Sequence, residues 1–189
     1  MNFFFILIGT SGVGKTTLRK FVASSAQTIK FVPSYTTRLA RNEESNGVDY
    51  FFISKNEFLE MIKHNKFIEY EEHYGNYYGI ARDTIVGLKN YNLIKEVSLL
   101  GYYQIKETYK EVQTIPIYVR PYNLESLKEF INERIGDNNL RISEIQKELE
   151  FEKSLNINNI ITSKKGSMSD MFLNIKKIIN LYLPNEFSE

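Results

Sequence analysis

Eight residues near the start, Gly9-Thr10-Ser11-Gly12-Val13-Gly14-Lys15-Thr16, constrain this chain more than any other stretch. They follow the apolar run Phe3-Phe4-Phe5-Ile6-Leu7-Ile8, which predicts a buried strand. They precede Thr17-Leu18-Arg19-Lys20-Phe21-Val22-Ala23, which predicts the opening of a helix. Glycine at the first and sixth positions, then lysine and threonine, is the pattern of a loop that wraps a phosphate between a strand and a helix. The glycines let the backbone bend so that several N–H groups face inward, and the helix N-terminus adds its positive end to the same spot. Lys15 can reach the β- and γ-phosphates of a nucleoside triphosphate. The Thr16 hydroxyl can hold Mg2+, and Thr17 follows in the first helical turn. The fold this demands is α/β, with the loop at the end of a strand in a parallel sheet.

The bulk numbers agree with that frame. A chain of 189 residues suits one compact unit with room for an inserted lobe. The net charge of +1 provides no broad field for nucleic acid or an anionic membrane, so an anion site has to be built locally. Cysteine is absent, which excludes disulfides and thiolate metal sites. The opening apolar run is too short for a signal peptide or a membrane span, and we read the chain as cytoplasmic.

Three further β-rich runs, Asn92 to Val97, Thr114 to Val119 and Asn159 to Thr162, alternate with helical patterns. Those patterns cover Gly101 to Tyr109, a helix after an Asn123 cap, Arg141 to Leu155, and Ser169 to Leu183. Alternation of this kind predicts a parallel sheet flanked by helices, assigned to residues 1–33 and 91–189. Residues 34–90 break the rhythm. They are aromatic-rich, with Tyr50 to Ile53 and Phe67 to Glu71 alternating like antiparallel strands, and with Ser54 and Glu57 spaced as a capping box. This segment is read as an inserted lobe for a second substrate. Gly136-Asp137-Asn138-Asn139 marks a loop between helices and places a mobile lid at about 134–145.

Within the lobe, Ser34-Tyr35-Thr36-Thr37-Arg38-Leu39-Ala40-Arg41 sets two arginines beside hydroxyls, a spacing that can clamp one phosphate. Gly47-Val48-Asp49-Tyr50-Phe51-Phe52 and Gly75-Asn76-Tyr77-Tyr78-Gly79 place phenols close to glycines, where backbone can approach a ligand. Together with residues 9–16 and Phe67-Ile68-Glu69-Tyr70, these segments resemble the guanylate kinase family in order and spacing. The resemblance spans the chain, closely as far as Gly79 and loosely beyond it. It implies a P-loop core, a monophosphate lobe and a helical lid, and Mg2+-dependent transfer from ATP to GMP. The same resemblance gives residues 9–17 to ATP, with Lys15 and Thr16 at the phosphates and the metal. It gives Arg38, Arg41, Tyr50 and Tyr78 to the acceptor phosphate. Glu69 falls to the guanine N1–H and amine, Ser34 to the carbonyl edge of the base, and Arg134 to the lid. The partners it implies are small nucleotides rather than nucleic acid or membrane, with the chain a monomer or a homodimer.

The chain departs from the family in places. Ile80 stands where a hydroxyl residue is usual, at a cost of roughly 0.5–1.5 kcal/mol for one neutral bond to the base, while Glu69 contributes roughly 1.5–3 kcal/mol per charged bond. Glu96-Val97-Ser98 replaces an acid-x-Asp pattern. Residues 96 and 98 are read as sharing one strand face, so Glu96 still orients metal-bound water while Ser98 has lost the charge. In the lid, Phe130 and Ile145 take the places of arginines, with Arg141 one turn away as a substitute. Two other readings fit parts of the pattern. One is a kinase of the same fold acting on a ribose bisphosphate, which has no use for Glu69. The other is a non-catalytic module like the guanylate kinase-like domains of scaffold proteins, which does not require an intact phosphate loop. His64 and His73 are read as surface residues.

Overall fold

The computed structural model describes residues 2–10, 12–73, 75–123, 125, 157–164 and 166–187. The helix expected after Asn123, the Arg141 to Leu155 helix and the 134–145 lid lie outside them, as does Ser11.

The strand of the opening apolar run, β1 (Phe3–Ile8), is buried on both faces: Phe5 and Leu7 enter one hydrophobic cluster, Phe4, Ile6 and Ile8 the other. A run with no polar face has to lie inside a sheet covered on both sides. It does so between β7 (Asn92–Glu96) and β8 (Gln113–Pro121), parallel to each. β2 (Ile29–Phe31) extends the sheet beyond β7 and β9 (Ile160–Ser163) extends it beyond β8, giving the all-parallel order β2-β7-β1-β8-β9. α1 (Lys15–Ser25) and α5 (Met168–Asn180) cover one face through Leu18, Val22, Met171, Ile175 and Ile179. α3 (Arg82–Gly87) and α4 (Leu99–Thr108) contribute Ile85, Tyr102 and Ile105 to the other. The buried Glu186 carboxylate takes hydrogen bonds from the Thr28 N–H and hydroxyl, tying the last described turn to the approach of β2.

A second sheet carries the middle of the chain in the order β4-β3-β6-β5. It comprises β3 (Ser34–Thr36), β4 (Tyr50–Phe52), β5 (Phe67–His73) and β6 (Asn76–Ala81). The expectation of antiparallel strands holds for β3–β6 and β5–β6, but β3 and β4 pair in parallel. The long excursion through residues 37–49 returns the chain to the same end of the sheet, which makes parallel pairing possible. α2 (Lys55–Lys63) packs Phe58 against Phe67 and Tyr77, and its Ser54–Glu57 capping box is present in both directions. Gly79 is required by close packing, because a Cβ there would lie 2.9 Å from Phe67 Cδ1 and from Tyr70 Cβ.

Candidate active site

At the end of β1 the chain turns through Gly9, Gly12 and Gly14, all at positive φ. Gly9 is fixed by proximity as well as by angle: a Cβ would meet the Val119 carbonyl oxygen at 2.1 Å. Gly14 precedes α1 with no side chain capping the helix, so the first N–H groups of the helix face the loop. Lys15 Nζ folds into the loop and donates to the Gly9 and Thr10 carbonyls at 2.5 and 2.7 Å. The Thr10 hydroxyl is fully buried without a hydrogen-bond partner among the described residues. A buried polar atom of that kind costs about 1–3 kcal/mol unless something else satisfies it. Thr16 is exposed in the first turn of α1.

One turn beyond Lys15, Arg19 is only 7% exposed and forms an ion pair with Glu96 at 3.0 Å. The two atoms are not aligned as a hydrogen bond. Arg19 also lies over the Phe31 ring at 3.7 Å. Glu96 therefore reaches the loop side of the sheet, but one of its oxygens is engaged by Arg19.

The second sheet gathers the arginine and tyrosine set. β3 is its centre: Ser34 is in register with Tyr50, and Thr36 with Tyr78. Arg38, just past β3, has its guanidinium carbon 5.5 Å from the Tyr50 ring and donates to Glu44 Oε1 at 2.9 Å. Glu44 Oε2 accepts the Arg41 N–H, so one carboxylate shapes the turn that holds both arginines, and Arg38 holds that carboxyl below the ordinary range. The Tyr50 and Tyr78 rings meet edge-on at 6.2 Å. Burial, then the charges of Glu96 and Tyr78, push the Tyr50 phenol up to about 12, which keeps it a proton donor. Arg38, Tyr50 and Tyr78 are thus together. Arg41 is exposed, and it is its N–H that Glu44 holds. Ser34 is buried at the base of the same sheet.

Glu69 is 5% exposed, on β5 just after a bulge, and takes a backbone hydrogen bond from Ile80. Glu69 and Glu71 share a strand face and converge on the start of α4: a Cβ on Gly101 would lie 3.1 Å from Glu69 Oε2 and 2.9 Å from Glu71 Oε1. Burial, then Glu71, raises the Glu69 carboxyl far above the ordinary range. One expectation is corrected here. β7 ends at Glu96, so Ser98 does not share a strand face with it. Ser98 instead caps α4, accepting the Gly101 N–H at 3.0 Å and donating to Glu71. Ile80 is fully buried in a cluster with Ile68, Ile85 and Val97. His73 sits at the surface and pairs with Glu71 at 3.3 Å, and His64 is exposed. Arg134, Arg141, Phe130 and Ile145 lie outside the described residues.

The sequence reading missed Arg19, Glu71 and Lys95. Glu71 carries a detectable signal, because it follows Glu69 at the strand period of two. Lys95 stands out as a charge inside the apolar run Leu93-Ile94 to Val97, and is only 3% exposed.

A glycine-bent loop at the end of a parallel strand, with an arginine and tyrosine cluster on a second sheet, defines a P-loop α/β protein. Comparison with known proteins gives the class a family. The family described as guanylate kinase matches residues 2–179. The guanylate kinase of Mesomycoplasma hyopneumoniae (strain 7448) is 37% identical over 151 residues, covering 76% of this chain and 77% of the relative. That of Clostridioides difficile (strain 630) is 39% identical over 144 residues, covering 75% and 68%. In structure, the guanylate kinase of Anaplasma phagocytophilum superposes with a TM-score of 0.70 at 22% identity, over 99% of this chain and 87% of that one, a likeness of fold. This chain belongs to the guanylate kinase family.

Proposed function

We propose that this chain transfers the γ-phosphoryl group of ATP to the phosphate of GMP, giving ADP and GDP. The observation that carries the reading is a continuous run of contacts between the two anion pockets. Arg38 lies on Tyr50, Lys95 lies on Tyr50 and on Phe31, and Arg19 lies on Phe31 while pairing with Glu96, one turn from Lys15. The pockets therefore belong to one cleft, with residues 1–33 and 91–189 as the donor side and 34–90 as the acceptor lobe.

Positioning and charge neutralisation do most of the work in phosphoryl transfer. The acceptor phosphate is its own nucleophile, so no serine, cysteine or histidine is needed. Residues 9–17 hold the triphosphate through backbone N–H groups. Lys15 exchanges its two carbonyl acceptors for β- and γ-oxygens, and the buried Thr10 hydroxyl gains a partner. A groove lined by Arg120, Tyr122, Lys164 and Ser167, just past the Val119 carbonyl that abuts Gly9, suits the rest of the donor nucleotide. Arg38, Tyr50 and Tyr78 hold the acceptor phosphate, with Arg41 closing from the rim. Glu69 accepts from N1–H and the 2-amino group, and Ser34 lies at the base's other edge. Adenine offers a lone pair at N1 and no 2-amino group, so Glu69 rejects it. Arg134 and Arg141 are the proposed lid cations.

The donor set fits Mg2+ in the manner of a substrate-held ion. Among the described residues no three acidic or histidine groups are gathered into a cage. The exposed Thr16 hydroxyl would be one ligand and Glu96 a contact through water, with phosphate oxygens supplying the rest. The bound ion screens charge between the phosphates.

A coupled ADP-release assay over GMP, dGMP, AMP, IMP and ribose 1,5-bisphosphate tests the proposal. GMP is expected to be the best acceptor. Faster turnover of the sugar bisphosphate would replace the reading with the sugar kinase, and no turnover of any acceptor would leave a binding module.

A further inference from the structure

Lys95 is a buried cation that links the two pockets in the reading above and is given no chemical role by it. It sits in the penultimate position of β7, 3% exposed. Its ammonium lies 4.7 Å from the Phe31 ring centre and 5.4 Å from that of Tyr50. Among the described residues it donates no hydrogen bond and forms no ion pair, although Glu96, Arg19 and Glu69 lie near enough to act on it electrostatically. An ammonium has three donors, and ring faces satisfy it only in part. The Lys95 stem is buried while its ammonium is not among the sealed, unpartnered polar atoms, and holding a charge here without an oxygen partner is costly where a neutral aliphatic side chain would fill the space without that penalty. The arrangement makes sense if an oxygen arrives from a ligand.

The position identifies the ligand. The Tyr50 ring that carries Lys95 also carries Arg38, the clamp arginine. On its other side Lys95 meets Phe31, the ring under Arg19 behind the phosphate loop. Lys95 thus stands at the floor of the cleft where an acceptor phosphate meets the donor.

We infer that Lys95 is an acceptor-binding residue, its ammonium contacting the phosphate oxygens of the monophosphate from the floor of the cleft, opposite Arg38. The inference rests on the proposed function and deepens it. It implies that the acceptor phosphate here is held by a buried lysine as well as by side chains of the lobe.

The test compares wild type, Lys95→Met and Lys95→Arg in steady-state kinetics and by titration calorimetry with GMP and with guanosine. In Lys95→Met, GMP affinity is expected to fall about 10- to 100-fold and turnover to fall with it, while guanosine affinity and the KM for ATP stay within about twofold. Lys95→Arg is expected to recover most of the loss. GMP affinity and turnover unchanged in Lys95→Met would overturn the inference. So would an equal loss for guanosine and GMP, which would put the ammonium on the base. Removing an unpaired buried charge is not expected to unfold the chain. Should Lys95→Met fail to fold, Lys95→Gln carries the same comparison. A wild type that phosphorylates no GMP removes the reading of the whole site, whereas an active wild type matched by Lys95→Met removes only the role of Lys95.

Discussion

Single side chains in this site are set by neighbours that are distant in sequence, and Glu69 is the clearest case. Burial raises its carboxyl most, Glu71 raises it further, and Lys95, the Ile80 N–H and His73 pull it down, leaving it at about 8. In the proposed complex guanine donates two N–H groups toward it, so the ionised form would be the one that binds. The kcat/KM for GMP follows groups of the free enzyme. It is therefore expected to rise up to about tenfold per pH unit on the acid side of about 8, and to fall on the alkaline side as Lys95, which burial lowers to about 8, loses its proton. The useful window is pH 6.5–8.5, above the ionisation of the GMP phosphate at ~6. Glu69→Gln should flatten the acid limb and weaken GMP; an acid limb of unchanged slope in that variant would assign it to another group. Stability has the opposite sign. Between the ordinary value of 4.5 and about 8 the folded state keeps a proton that the unfolded chain releases, so this group's contribution is lost as pH rises through that window.

Elements were legible wherever the signal was local. The six-residue run of β1 followed by glycines, the Ser54–Glu57 box and the apolar stripe of α5 are each written in adjacent residues, and each formed. β2 and β3, three residues apiece, are too short to show a period, and the parallel pairing of β3 with β4 depends on a path through 37–49 that no local pattern encodes. The same limit hid the site's cross-links. Arg38, Tyr50, Tyr78 and Glu69 were visible as a spaced set, but the contact of Ser98 with Glu71 joins residues 27 apart in the chain. Ser98 matters to α4 as a cap and to Glu71 as a donor, so its loss acts on both. Ser98→Ala is expected to cost about 1 kcal/mol, read as a lower urea midpoint at unchanged slope. Ser98→Thr should retain most of it. A loss under about 0.3 kcal/mol would mean that water replaces the hydroxyl at the helix start.

The described residues form two sheets joined through Tyr50, Lys95 and Phe31, and the proposed chemistry needs each sheet to present an anion pocket of its own. In the proposed reading the donor pocket lies at the carboxyl end of β1 and the start of α1, and the acceptor pocket on β3, β4 and β6. Aromatic rings and the Arg19–Glu96 pair run between them, so occupation of one pocket need not build the other. Independent pockets have a thermodynamic signature. A ligand at one hundred times its Kd stabilises the folded state by about 2.7 kcal/mol, which for a chain of this length is about 5–10 °C in Tm. GMP is expected to give that shift in wild type and in Lys15→Met alike, and to give little in Arg38→Met. ATP with Mg2+ should give it in wild type and in Arg38→Met, and little in Lys15→Met. Differential scanning fluorimetry with each ligand at matched saturation reads all six shifts. Loss of both shifts in either variant would mean that the pockets form only together, and the donor and acceptor sides could no longer be assigned to separate sheets.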